Sequence, residues 1–164
     1  MAAPVAKNEE LELEIESLAY GGNGVARLDG FVVFVRRGLP GDRVRARVTK
    51  VKRGYAEALA TEVLRPGPKR VEPSCAHFPA CGGCRFQDLA YEAQLEQKHA
   101  QVHDALQRIS GIAAPPLAAI VPCEPEIFHY RNKLEYSFTR TPDGPSLGFH
   151  RAGRSRARGR RACA

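Results

Sequence analysis

The stretch Gly38-Leu-Pro-Gly-Asp-Arg-Val-Arg-Ala-Arg-Val-Thr-Lys-Val-Lys-Arg53 decides the fold of the N-terminal part of the chain. Its first residues are typical of a tight turn, because glycine and proline adopt the backbone angles that a chain reversal needs. The residues that follow alternate between apolar and basic side chains, which predicts a strand with one buried face. The apolar residues would then face the core, and Arg43, Arg45 and Arg47 would face outward.

Further strands are predicted on both sides of this stretch. Leu11–Ile15 alternates apolar and acidic residues, and a short strand is expected around Val25–Leu28. Phe31–Val35 is a compact β-branched and aromatic run that we expect to be buried, and Tyr55–Leu64 completes the set. Glycine-rich turns at Gly21–Gly24 and at Asp29-Gly30 separate them. Five short strands punctuated by glycine turns predict a small closed β-barrel over residues 7–65.

The positive charge of the chain is unevenly distributed. The net charge is +7, of which residues 151–164 supply six arginines and no acid. A prediction of nucleic-acid binding by the folded part must therefore rest on local patches. The outward arginines of the central strand could hold phosphates, or they could form a solvated face balanced by Glu12, Glu14 and Glu16, and the charge pattern leaves both readings open.

The candidate RNA-binding residues are basic side chains near that strand, together with aromatic side chains that could stack on bases. Two further cations, Arg131 and Lys133, lie at the mouth of a hairpin predicted from Lys133 to His150. The complete candidate set is Tyr20, Arg36, Arg37, Arg43, Arg45, Arg47, Lys50, Lys52, Arg53, Arg131 and Lys133, with Tyr55 also available for stacking.

A second feature is the cysteine spacing C-x5-C-x2-C formed by Cys75, Cys81 and Cys84. Two glycines between the last two cysteines let the backbone fold tightly, so that both sulfurs can face one centre. Thiolates gathered this closely favour zinc or an iron–sulfur cluster over disulfides. A zinc site could be completed by His77 or Cys163. Cys123 could also be a fourth ligand, although we expect it to be an incidental loop cysteine.

Other segments connect these features. The proline-rich residues 66–73 are predicted to be a linker. Residues 88–110 show helical periodicity, with Asp88 as the expected N-cap and Gly111 as the expected C-cap. The expected apolar stripe of this helix consists of Tyr91, Leu95, Val102, Leu106 and Ile109. Neither a secretory signal nor a membrane-spanning apolar run is present, so we expect a cytoplasmic protein in which thiols stay reduced.

Residues 7–65 resemble a TRAM domain, a small OB-like barrel that binds RNA in translation-related modification enzymes. The likeness lies in the turns Ala19-Tyr-Gly-Gly-Asn-Gly-Val-Ala26 and Gly38-Leu-Pro-Gly-Asp-Arg-Val44. It shifts the expectation for the basic strand face towards RNA. The expected fold is mainly β with α: an OB-like TRAM barrel at 7–65, a small α+β iron–sulfur or central domain at 66–150, and an Arg-rich, disordered tail at 151–164.

The order of motifs along the chain resembles the N-terminal part of bacterial RNA uracil-5-methyltransferases that carry a TRAM domain and a [4Fe-4S] cluster. That family includes 23S ribosomal RNA uridine methyltransferases. The motifs are the TRAM domain, C-x5-C-G-G-C, the amphipathic helix, Tyr130-Arg-Asn-Lys133 and Leu147-Gly-Phe-His150. The resemblance implies that Cys75, Cys81 and Cys84 bind the cluster and that Cys163 lies at about the place of the fourth ligand.

The same resemblance indicates what the sequence lacks. In the family, a Rossmann-type domain follows that binds S-adenosylmethionine, with a cysteine that attacks C6 of uracil and a carboxylate that removes the C5 proton. We find no glycine-rich turn of that type here, so we expect no catalytic residue, no S-adenosylmethionine site and no activity of the chain alone. Because residues 151–164 depart from the family pattern, we expect a chain truncated before the catalytic domain.

The functional prediction is an RNA-binding and iron–sulfur-binding part of an S-adenosylmethionine-dependent RNA uridine-C5 methyltransferase. Ribosomal RNA is the expected partner and transfer RNA the alternative one, with neither DNA nor a membrane involved and the chain monomeric. The alternative function is a stand-alone TRAM and metal protein that binds RNA without enzymatic activity. The alternative to the [4Fe-4S] cluster is zinc.

Overall fold

The computed structural model describes residues 3–123, 127–130, 132–133, 135–142 and 144–152. They form two compact units: residues up to 71 together with 88–122, and residues 72–87 together with those from 123 onward. The predicted domain bounds at 65 and 150 stay predictions. The predicted Arg-rich tail lies outside the described residues from position 153.

The first unit contains a six-stranded sheet. Its strands are β1 (Glu10–Glu14), β2 (Ser17–Leu18), β3 (Gly24–Leu28), β4 (Phe31–Arg36), β5 (Arg43–Val51) and β6 (Tyr55–Arg65). The order across the sheet is β1-β5-β6-β4-β3-β2, and only β4 and β6 pair in parallel. Each predicted strand is present, and the fold is mainly β as expected.

The sheet closes because its two edges belong to one continuous stretch of chain. β1 and β2 stand at opposite ends of the strand order, yet only Ile15 and Glu16 separate them. Ile15 N donates to Asp42 O at 2.9 Å on the side of β5, and Glu16 N donates to Val25 O at 2.8 Å on the side of β3. This bent stretch joins both edges, so a closed barrel results and neither edge is left to pair with another chain.

Alternation along the strands fills the barrel. In β5 the apolar residues Val44, Ala46 and Val48 are fully buried, as the period-2 pattern predicts. In β6 every second residue from position 56 to 60 is an alanine facing the same core. Small side chains on this strand leave room for valine and isoleucine from the others, because the interior of a small barrel is narrow.

The buried carboxylate of Asp42 fixes the turn between β4 and β5. Asp42 has no exposed surface, and its Oδ2 accepts from Leu39 N at 2.8 Å. Oδ1 accepts from Gly67 N at 2.8 Å, and Arg70 donates to the same carboxylate through Nη2 at 2.7 Å. A buried charge is tolerated when it is paired and its oxygens accept hydrogen bonds, and both conditions are met here.

Arg70 extends this network towards the start of the helix. Its Nη1 donates to Asp88, so that one guanidinium joins two carboxylates. Burial opposes the charge of Arg70, but the hydrogen bonds and charges of Asp42 and Asp88 outweigh it and raise the pKa of Arg70. For Asp88, burial raises the pKa of the carboxyl group, and the positive charge of Arg70 offsets only part of that rise. The prediction of Asp88 as the helix N-cap is wrong, because its carboxylate faces Arg70.

Helix α1 (Tyr91–Ser110) packs on the barrel mainly through polar contacts. Gln97 Oε1 accepts from Leu18 N and Gln101 Nε2 donates to Leu18 O, both at 2.9 Å, so two amides one turn apart occupy the free backbone groups of β2. The predicted apolar stripe is buried only in part: Tyr91, Leu95 and Leu106 are partly buried, Val102 and Ile109 are exposed, and Ala93 is the buried residue. Gly111 ends the helix in the left-handed conformation, as predicted.

The second unit contains a hairpin of β7 (Ser137–Thr141) and β8 (Gly144–Gly148). Phe138 lies opposite Leu147 in this antiparallel pair. The hairpin is therefore present, although its first strand begins later than Lys133 and its second begins before Leu147. No helix in the described residues is both long and apolar enough to cross a membrane.

Replacement of the buried carboxylate tests the role of this network in stability. Asp42→Ala leaves two backbone donors and a partly buried guanidinium without their acceptor, so we expect the free energy of unfolding to fall by about 3–5 kcal/mol. Glu12→Ala is the control, since it removes an exposed partner of Arg43 and should cost no more than about 1 kcal/mol. Urea unfolding followed by far-UV circular dichroism measures both; equal losses would contradict the assignment.

Candidate RNA-binding surface and cysteine loop

The outward side of β5, which we call the β5 face, carries Arg43, Arg45 and Arg47. Arg43 Nη2 lies 2.9 Å from Glu12 Oε2, and Arg45 contacts both Glu12 and Glu62. For these two arginines, the structure therefore agrees with the alternative of a solvated face whose charge is balanced by glutamates. Exposed ion pairs of this kind are worth at most about 1 kcal/mol, so phosphate could still displace them, and their assignment to RNA stays a prediction.

Lys50 is also paired. Its Nζ lies 3.1 Å from Glu57 Oε1, and this hydrogen bond together with the charge of Glu57 raises the pKa of Lys50. Glu14 of β1 and Glu16 of the following bend are also paired, Glu14 with Arg65 and Glu16 with Arg27. Much of the strand charge is thus neutralised within the barrel itself.

Five other predicted cations differ from these. Within the described part of the chain, no carboxylate comes within ion-pair distance of them: Arg36, Arg37, Arg47, Lys52 and Arg53. Arg36 ends β4, and Lys52 and Arg53 form the turn between β5 and β6. Unpaired cations are the ones that gain most from an incoming phosphate, because no existing contact has to be broken.

An aromatic pair lies between those cations, and the sequence prediction named one member, Tyr55, but missed the other, Phe34. The rings of Phe34 and Tyr55 meet edge to face with centroids 5.5 Å apart. Both side chains point away from the core, because the flanking Val33, Val35 and Ala56 are the buried ones. The expectation that the whole run from Phe31 to Val35 is buried is therefore wrong.

These residues belong to a larger outward surface. We call it the β4–β6 face and define it by the partly exposed residues Val25, Val32, Phe34, Arg36, Tyr55 and Leu59. Strand register makes them neighbours: Val25 lies opposite Phe34, Val32 opposite Tyr55, and Arg36 opposite Leu59. The exterior of the barrel is thus largely apolar and aromatic here, with Glu57 opposite Phe34 and cations at its ends.

The other predicted RNA-binding residues lie elsewhere. Tyr20 is 95% exposed in the turn between β2 and β3, where Gly21 and Gly22 have φ of 89° and 82°. Lys133 is exposed, and its Nζ lies 3.6 Å from Glu135 Oε1. Arg131 lies outside the described residues. Tyr20 and the β4–β6 face belong to the first unit, and Lys133 belongs to the second.

Hydrogen bonds organise the cysteine loop of the second unit. Gln87 links two of its cysteines, since its Oε1 accepts from Cys75 N at 3.0 Å and its Nε2 donates to Cys84 Sγ at 3.9 Å. Gly83 N donates to Cys81 Sγ at 3.4 Å. N–H donors directed at sulfur are also found around metal-bound cysteines, where they hydrogen-bond to the bound sulfurs.

The strand after the hairpin holds the same loop in place. Gly82 N donates to His150 O at 2.8 Å, and Ala152 N donates to Ala80 O at 3.0 Å. A β-carbon at Gly82 would lie 2.6 Å from that carbonyl oxygen, so only glycine fits this close approach. A cavity of about 250 Å³ adjoins Cys81 and is lined by His77, Phe78, Phe149 and Arg151, among others.

The fit of this loop to a metal centre is partial. Three thiols, N–H donors to two of them and an adjoining cavity suit a sulfur-bound metal group. Among the residues that the structure describes, however, no three Cys, His, Asp or Glu side chains are gathered closely enough to hold a metal ion. The predicted fourth ligand, Cys163, lies outside those residues, so the ligand set stays a prediction.

Comparison with known proteins identifies the barrel. Residues 4–61 match the family model of the TRAM domain. A solved structure, a conserved protein of Methanococcus maripaludis, is 42% identical and covers 37% of this chain and 86% of its own, with a TM-score of 0.35. The prediction of a TRAM domain from the two glycine turns is confirmed.

Curated relatives extend the similarity beyond the barrel. An RNA methyltransferase of Halalkalibacterium halodurans is 40% identical over 148 residues, which is 90% of this chain and 32% of that protein. One from Synechocystis is 41% identical over 89% of this chain and 32% of its own length. One from Chlorobaculum tepidum is 49% identical over 98 residues. All three are named uncharacterized RNA methyltransferases.

The similarity to the first two relatives includes the cysteine loop as well as the barrel, because it covers about nine-tenths of the chain. The chain spans about a third of the length of these relatives. It therefore has a TRAM domain at its N-terminus and is related to part of the RNA methyltransferase family, as its motifs predicted.

Proposed function

We propose that this chain is the RNA-binding and iron–sulfur-binding part of an S-adenosylmethionine-dependent RNA uridine-C5 methyltransferase that acts on ribosomal RNA. The observation that carries the proposal is the combination of a TRAM barrel with 40% identity to an RNA methyltransferase over 90% of the chain. The cytoplasm, where thiols stay reduced, is the compartment in which such a protein would work.

The roles that we assign to this chain are binding roles. The first unit offers a closed barrel with unpaired cations and outward aromatic rings, which suits a nucleic-acid surface. The second offers a loop with three cysteines. Transfer of the methyl group from S-adenosylmethionine to C5, with loss of the C5 proton, is assigned to none of the described residues.

A [4Fe-4S] cluster would have a structural task in this loop. Cys75, Cys81 and Cys84 would bind it, and the N–H groups of Gly83 and Gln87 would donate to the bound sulfurs. Such a cluster contributes its binding free energy to folding of the loop, because the site is formed only in the folded chain. The loop is small and lies beside the hairpin, so the bound group would order both.

Metal analysis of the full chain tests the cluster. Purified without oxygen, the protein should be brown and contain iron and inorganic sulfide in equal amounts, because thiolate-bound clusters absorb visible light. Cys81→Ser should lose both, whereas Cys123→Ser, an exposed cysteine outside the loop, is the control and should keep them. Cys163→Ser tests the fourth ligand and should behave as Cys81→Ser does.

The contrary results are distinct. A colourless protein that contains zinc would show that the same loop binds zinc and not an iron–sulfur cluster. A protein without metal, in which all three serine variants match the wild type, would contradict a metal centre altogether.

Disruption of the gene tests the assigned reaction in the cell. We expect one 5-methyluridine to disappear from ribosomal RNA, because the modification depends on the protein to which this chain belongs. Nuclease digestion and mass spectrometry of purified ribosomal RNA and transfer RNA measure it, with the gene restored as the control. A loss confined to transfer RNA would contradict the ribosomal target, and unchanged 5-methyluridine in both would contradict the reaction.

A further inference from the structure

We propose that the β4–β6 face is a stacking platform for the bases of single-stranded RNA, centred on Phe34 and Tyr55, with Arg36, Lys52 and Arg53 placed for the adjoining phosphates. This inference deepens the proposed function and rests on its RNA-binding part. It moves the main RNA contact away from the β5 face, which the resemblance to a TRAM domain favoured in the sequence analysis.

The first support is the chemistry of the exterior. Outward positions of a small barrel are normally polar, as on β5, where arginines and glutamates alternate across the strands. On the β4–β6 face five outward positions are instead apolar or aromatic and partly exposed, namely Val25, Val32, Phe34, Tyr55 and Leu59, with Glu57 among them opposite Phe34. A largely apolar surface bordered by polar residues marks a binding site, because leaving it in water costs free energy.

The second support is that the described contacts of helix α1 lie on β2, away from the β4–β6 face. α1 packs against β2, through Gln97 and Gln101 on Leu18. The aromatic pair therefore stays part exposed on the barrel surface. Its edge-to-face geometry keeps the two rings 5.5 Å apart and steeply inclined, at 73°, so they form a rigid, preorganised pair.

The third support is the arrangement of charge. Arg36 follows Phe34 by two residues on the same strand face, and Lys52 and Arg53 immediately precede Tyr55 in the turn. Lys52 N donates to Tyr55 O at 2.9 Å, which fixes the turn against the start of β6. Among the described residues of this face, Glu57 is the acid, and it is paired with Lys50. Cations thus lie at both ends of an aromatic strip.

These features select single-stranded RNA over a duplex. In a duplex the bases stack on each other and present only their edges, so an aromatic ring gains little. In a single strand the bases can stack on protein rings while the backbone follows a line of cations. A protein partner is disfavoured, because the unpaired side chains around the strip are all positively charged.

Binding of a single-stranded oligouridine to the full chain tests the proposal. Tyr55→Leu and Phe34→Leu keep an apolar side chain but remove the ring, and each should weaken binding about 5- to 150-fold, the cost of losing one stacked base. Tyr55→Phe keeps the ring and should bind within about twofold of the wild type, since stacking does not require the hydroxyl. Fluorescence anisotropy of labelled RNA measures all of them.

Two controls make the outcome decisive. Arg43→Gln and Arg45→Gln alter the charge of the β5 face, whose arginines are already paired, and should weaken binding less than about fivefold. Far-UV circular dichroism and thermal unfolding confirm that each variant is folded. Tyr55 is partly exposed at the start of β6, so we expect its replacement to disturb the barrel least. A duplex of the same length should compete poorly against the single strand.

The results distinguish failure of the stacking platform from failure of RNA binding by the barrel. If the ring variants bind as the wild type does while the β5 arginine variants weaken binding strongly, the platform is wrong and RNA binding by the barrel stands. Tighter binding of the duplex than of the single strand would also overturn it. If the wild-type chain binds neither RNA, the RNA-binding part of the proposed function fails as well.

Discussion

The first unit depends on the carboxylate of Asp42, which is buried without any contact with solvent. It accepts hydrogen bonds from Leu39 in the turn before β5 and from Gly67 and Arg70 in the segment after β6, so two distant parts of the chain meet on one side chain. Arg70 in turn reaches Asp88, just before the helix. A buried ion network of this kind adds little net stability, but it permits one arrangement of its partners and penalises others.

The barrel that this network holds has two chemically different outer faces. On the β5 face, the strand arginines and the glutamates of β1 and β6 neutralise each other. On the β4–β6 face, aromatic and aliphatic side chains lie outward and the nearby cations have no carboxylate partner in the described residues. Net charge along a strand therefore does not identify a nucleic-acid surface; the charge left after internal pairing does.

Local patterns in the sequence were sufficient for most of the barrel. Period-2 alternation located β1 and β5, and glycine pairs located the turns, because both signals depend on neighbouring residues alone. Three features depended on distant residues and were missed. Asp88 pairs with Arg70 and not with the helix, α1 contacts backbone groups of β2 through glutamines, and Phe34 lies outside the barrel although every residue around it is apolar. A run such as Phe31–Val35 has no alternation to show which face is outward.

In the cysteine loop, too, a local sequence pattern predicted one feature, and contacts between distant residues decided the others. The spacing of Cys75, Cys81 and Cys84 suggested a metal from the sequence alone, whereas Gln87 and Gly82 acquire their roles only through contacts across the fold.

The central claim about the barrel is tested most directly by amide chemical shifts of the full chain during titration with single-stranded RNA. We predict the largest changes at Val32–Arg36 and Tyr55–Leu59; changes concentrated at Glu10–Glu14 and Arg43–Val48, with β4 unaffected, would contradict the account.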